Sequence, residues 1–115
     1  MRIMELKTIV ETLNLNVETT RGYLSREVSG IYVSDLLSDV LAHAKEDDLW
    51  VTLQGHPNII AVASMKDLSG IVLVNGRTPE DETLRKANEE EIPIMTTEMQ
   101  TFNLAGKLYG LLGEE

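Results

Sequence analysis

The chain has no cysteine, which excludes disulfides, thiolate metal sites and cysteine nucleophiles together. Aromatic residues make up only 4% of it, against a hydrophobic share of 43%, so the core must be built from Ile, Val, Leu, Ala and Met. Positive charge is also scarce: 10 Lys and Arg stand against 19 Asp and Glu, for a net charge of −9. Acidic runs lie at Glu80-Asp81-Glu82, Glu89-Glu90-Glu91 and Glu114-Glu115. Such a surface repels phosphate backbones and anionic lipid, which argues against nucleic-acid and membrane partners. No apolar run approaches the roughly 20 residues of a membrane helix, and the N-terminus carries no basic-then-apolar leader. The expectation is a cytoplasmic protein of one domain, residues 1–115, large enough for one core and too small for two.

What is present is a strand–helix alternation. Residues 71–74 are a continuous β-branched and aliphatic run, as in a strand buried on both faces. Asn75-Gly76 interrupts it. Thr78-Pro79-Glu80-Asp81 then reads as a helix start, with Thr78 as N-cap and Pro79 at the first helical position. Only Leu84 and Ala87 are apolar in the helix that follows, at 79–90, so it should be exposed. Ile92-Pro93-Ile94-Met95 is a second strand, ending in Thr96-Thr97. Strand, helix and strand at this spacing make a βαβ unit, hence a parallel sheet.

The same reading extends to the rest of the chain. Residues 4–13 form a short amphipathic helix, 17–20 an edge strand, Arg21-Gly22 a turn, and 28–33 one strand with Gly30 inside it. Ser34 is a good N-cap for a helix whose stripe is Leu36, Leu37, Val40, Leu41 and Ala44. The segment 45–48 reads as a solvated connection, 49–53 as a strand, and 58–67 as a helix apolar nearly all round and largely buried. The last helix, about 99–112, is expected to bury Phe102, Ala105, Leu108, Tyr109 and Leu112. The fold class is therefore α/β, with a central, mainly parallel sheet flanked by helices.

In such sheets ligands sit beyond the carboxyl ends of the strands. Two turns there look alike: Gln54-Gly55-His56-Pro57, leading to Asn58, and Asn75-Gly76-Arg77-Thr78-Pro79. Each has an amide, a glycine, a basic or imidazole residue and a proline before a helix, whose free N–H groups attract anions. With Thr96 and Thr97 beside them, Gln54, Gly55, His56, Asn58, Asn75, Gly76 and Arg77 are the candidate ligand residues. Ordinary turn chemistry accounts for the same residues, and His56 also reads as a capping histidine. Arg77 is either an anion contact or the partner of Glu80 or Asp81. Trp50 reads as core. Gly106 and Gly110 share a helix face, which serves either packing or a subunit contact. Neither a catalytic residue nor a metal ligand set is recognisable, and no cofactor is expected.

The segments Asn75-Gly-Arg-Thr-Pro-Glu-Asp-Glu-Thr-Leu84, Ile92-Pro-Ile-Met-Thr-Thr97 and Thr101-Phe-Asn-Leu-Ala105 resemble the DRTGG domain. That small α/β module is similar to the N-terminal domain of HPr kinase/phosphorylase. It also occurs beside CBS pairs in some inorganic pyrophosphatases and within some phosphotransacetylases. The resemblance spans about residues 28–112 and is greatest to stand-alone members. The name-giving motif is altered: Gln54-Gly55-His56 stands where relatives have Gly-Asp-Arg, and Val74-Asn75-Gly76 where they have Thr-Gly-Gly. The resemblance implies a regulatory or sensing module that dimerises. Three functions follow in order: a non-catalytic regulatory homodimer binding a partner enzyme or small effector; a sensor of adenine nucleotides or other small phosphorylated anions; and, last, a small enzyme.

Overall fold

The computed structural model describes residues 2–113; the Glu114-Glu115 run lies outside them. The chain opens with β1 (Met4–Glu5), α1 (Leu6–Leu13) and β2 (Asn16–Val17), then a 3₁₀ turn at Arg21–Ser25 and β3 (Glu27–Val28). There follow β4 (Gly30–Val33), α2 (Leu37–His43), β5 (Asp48–Thr52), α3 (Asn58–Lys66) and β6 (Gly70–Leu73). The chain ends with α4 (Asp81–Glu90), β7 (Ile94–Thr96), α5 (Thr101–Leu108) and a wide π turn at Tyr109–Gly113.

Five strands form the main sheet in the order β2-β7-β6-β5-β4, while β1 and β3 pair as a separate ribbon. β4 through β7 are parallel, and β2 lies antiparallel on the β7 edge. Alternation along the strands sends side chains to two cores. Leu49, Val51, Val72, Val74 and Met95 meet α1 and α5 on one face. Trp50, Ile71, Leu73 and Ile94 meet α2, α3 and α4 on the other. The parallel order advances one strand at a time, and crossovers between parallel strands are right-handed, so α2, α3 and α4 all fall on one face. From β4 onward the chain changes face only after β7, where α5 joins α1 on the other side.

Three helix C-termini are closed by the backbone. Asn14, Asp67 and Glu91 close α1, α3 and α4 in the left-handed conformation, with φ of 56°, 54° and 58°.

The parallel βαβ framework and the exposed α4 agree with the sequence reading, and several details differ. The expected strand 28–33 is two strands. Val28 pairs with Met4 in the ribbon, whereas Gly30 opens the pairing with β5; a continuous apolar run cannot reveal a change of partner. The expected 17–20 strand shortens to β2, and Arg21 opens the 3₁₀ turn. Ser34 does not cap α2. Its hydroxyl accepts the Leu36 N–H at 3.2 Å, its carbonyl accepts Trp50 Nε1 at 2.8 Å, and the helix starts later. Leu36 is 64% exposed as a result, and Leu41 is exposed too, leaving Val40 and Ala44 as the buried stripe. Asp48 belongs to no solvated connection; it is buried in β5, where its carboxylate accepts the Lys45 N–H at 2.8 Å. α3 buries Ile59, Ile60, Val62 and Ala63 but leaves Met65 73% exposed, because it lies on an outer layer between α2 and α4. Thr78 does not cap α4 either. The first-turn groups Glu80 N–H and Thr83 Oγ bond the Gly55 carbonyl, at 3.1 and 2.6 Å, and the helix begins at Asp81. In α5 and the turn after it Leu108 and Leu112 are buried as expected, but Leu104 completes the inward stripe in place of Phe102 and Tyr109, which are 85% and 63% exposed.

Candidate ligand cleft at the carboxyl edge of the sheet

Loops that leave parallel strands toward opposite faces open a crevice between them, and loops that leave toward one face pack together. Both cases occur here. The loops after β5 and β6 lead to α3 and α4 on the same face, and they close on each other. A methyl group added at Gly55 would stand 2.8 Å from the Thr78 carbonyl oxygen. The loops after β6 and β7 part, the first toward α4 and the second toward α5. Between them and the β2 edge lies a cleft of about 540 Å³, lined by Asn14, Asn16, Glu18, Arg77, Thr97 and Glu98 among others.

The floor of the cleft is rigid. The β6–β7 ladder runs past the strand ends, with Thr97 N–H donating to Leu73 O, Gly76 N–H to Thr97 O and Asn75 N–H to Met99 O, at 2.9–3.0 Å. Gly76 has φ of +67°, and a side chain there would meet the Glu98 carboxylate at 2.9 Å, so Glu98 lies directly over this turn. Glu18 is oriented by two bonds to one oxygen: Oε2 accepts Asn16 Nδ2 at 2.6 Å and Thr96 Oγ at 2.8 Å. Arg77 is exposed and belongs to no ion pair among the described residues, although Glu18 and Glu98 line the same cleft. The expected pairing with Glu80 or Asp81 does not form. Leu13 and Met99 supply the apolar part of the wall.

The nine candidate residues are therefore divided. Gly76, Arg77, Thr96 and Thr97 line the cleft. Gln54 is spent on the Asp35 carbonyl, which accepts its Nε2 at 3.1 Å. His56 Nδ1 accepts the Asn58 N–H at 3.0 Å, the capping role, and Gly55 is packed under residues 78–79. Asn58 lines a separate groove of about 410 Å³ between α3 and α4, with Met65 and Lys86. Asn75 holds the left-handed turn, φ 59°. Among the described residues, Arg77 is the one cation that lines the cleft.

Asn16, Glu18 and Glu98 were not singled out by sequence. Glu18 and Thr96 are 78 residues apart, and only the antiparallel addition of β2 to β7 brings them together; Glu98 was legible as the neighbour of Thr97. A further polar cluster lies at the free β4 edge. Asp39 accepts the Tyr32 hydroxyl at 2.8 Å and lies 3.2 Å from His43 Nδ1. The Tyr32 bond holds the Asp39 carboxyl below its ordinary range, and the same bond raises the tyrosine. Among the described residues, no group of three His, Cys, Asp or Glu could hold a metal ion, and no helix is long and apolar enough to cross a membrane.

Fold and cleft together define a small three-layer α/β domain with a ligand-sized crevice at its carboxyl edge. The DRTGG domain model matches residues 8–111, and the chain belongs to the DRTGG domain family. Among solved structures, one similar chain is the CBS and DRTGG region of the regulatory part of Clostridium perfringens pyrophosphatase, complexed with its activator diadenosine tetraphosphate. It aligns at a TM-score of 0.67 and 17% identity, over 89% of this chain and 44% of that one. This chain thus spans less than half of that regulatory region. No curated protein matches it in sequence.

Proposed function

We propose that this chain is a non-catalytic regulatory or sensing module, working in the cytoplasm as a homodimer that binds a partner protein or a small effector. The observation that carries the effector half is Arg77, a guanidinium without an ion pair among the described residues, on a hydrogen-bonded turn inside a preformed cleft. The backbone of the turn is already hydrogen-bonded, so a ligand has only the Arg77 side chain to order there.

The dimer half rests on α5. The outward side of α5 and of the π turn after it carries Phe102, Gly106, Tyr109 and Gly110, and a Cβ on either glycine would stand in open space. From 101 to 113 the only charged residue is Lys107. In a protein of net charge −9, this segment contributes no carboxylate of its own to an approaching second copy.

A second reading, a nucleotide sensor, is favoured by the pyrophosphatase regulatory region, whose activator is a dinucleotide. Titration calorimetry with adenine nucleotides, including diadenosine tetraphosphate, tests it. Binding is expected to be modest, and Arg77→Ala to weaken it by on the order of 1–3 kcal/mol, as for a lost charge-assisted hydrogen bond. Equal heats from both proteins remove Arg77 from the site.

A further inference from the structure

The cleft carries charges of both signs, and their arrangement is specific. Arg77 stands at one part of the wall; Glu98 lies over Gly76, and Glu18 is held by Asn16 and Thr96 with its Oε1 unbonded among the described residues. Neither carboxylate comes within 4.0 Å of the guanidinium. A ligand that is only anionic gains from Arg77 and is repelled by the two carboxylates that line the same cleft. A ligand that is only cationic meets the reverse. A ligand with one cationic and one anionic end satisfies all three groups. Leu13 and Met99 in the same wall add an apolar surface that a short aliphatic side chain would cover.

We propose that the effector is a dipolar, amino-acid-type molecule with an aliphatic side chain. Its carboxylate takes the Arg77 guanidinium, its ammonium lies between Glu98 and Glu18, and its side chain rests on Leu13 and Met99. The inference rests on the effector reading above and specifies the chemistry of that same cleft.

The test is calorimetry of the full chain with L-leucine and two truncated probes: 4-methylpentanoate, which lacks the amine, and isoamylamine, which lacks the carboxylate. Both probes are expected to bind at least tenfold more weakly than L-leucine. Arg77→Ala should weaken L-leucine at least tenfold and leave isoamylamine unchanged, whereas Glu98→Gln should weaken L-leucine and not 4-methylpentanoate. Unchanged circular dichroism and melting temperature in both variants ties these losses to the cleft. If 4-methylpentanoate binds as tightly as L-leucine, the ammonium site is wrong and the proposal falls. If diadenosine tetraphosphate binds and L-leucine does not, the dipolar class falls while the effector reading survives. If neither produces heat, both fall.

Discussion

At Gly55 there is no room for a methyl group, because the Thr78 carbonyl would lie 2.8 Å from it. That contact is backbone on backbone, so it cannot be relieved by a rotamer change. Gly55→Ala is expected to destabilise the protein by about 1–3 kcal/mol, the usual cost of overpacking, read as a lower melting temperature. It should also disturb α4, whose first turn bonds the Gly55 carbonyl. Asp48 makes the opposite case, a residue whose charge opposes its site. Burial raises its carboxyl above the ordinary range. A raised folded-state pKa means that the native state binds more protons than the unfolded state, so stability falls as pH rises through the carboxylate range. Asp48→Asn keeps an oxygen for the Lys45 N–H and removes the charge. Its melting temperature relative to the wild type should rise from acid pH to pH 7 and then level off. A difference that does not change with pH would show that burial of the charge is not what limits this position.

At the scale of elements, α5 separates two kinds of apolar residue. Leu104 is fully buried against the sheet, and Leu104→Ala should cost about 2–5 kcal/mol in chemical denaturation. Phe102, two residues earlier, is 85% exposed; Phe102→Ala should leave monomer stability nearly unchanged and weaken self-association. The sequence presents both residues in one apolar stretch, and composition does not say which of two offset stripes faces inward. Phase depends on how the helix crosses the sheet, which is tertiary information. The 71–74 strand and its βαβ neighbours were readable, because a strand buried on both faces has a local signature. The split at Ser29 was not, since it records a change of pairing partner. The cleft was readable by halves for the same reason. The correct edge follows from the parallel order, and Arg77 and Thr97 lie on it. Which pair of loops opens depends on the face to which each helix departs, and the two similar turns at 54–57 and 75–79 are the pair that closes.

For the whole molecule, charge and association are linked. Light scattering should report twice the 12.8 kDa chain mass, and the dimer should tighten as salt rises, because screening removes repulsion between two copies of net charge −9. Weakening by salt would mean that complementary charges, rather than the Phe102 and Tyr109 surface, hold the copies together. Glycine is also distributed against ordinary helix economy. Three helices end in left-handed backbone on Asn14, Asp67 and Glu91, where glycine would be unstrained, while Gly106 occupies an exposed helix interior where alanine would be favoured. The fold therefore holds unused stability that two kinds of substitution would release: Glu91→Gly by up to about 1 kcal/mol, and Gly106→Ala by about 0.5–1 kcal/mol. The first should leave the core and the cleft intact. The second should raise the melting temperature of the isolated subunit while hindering its pairing, so that selection for a tougher monomer and selection for assembly would pull this one position in opposite directions.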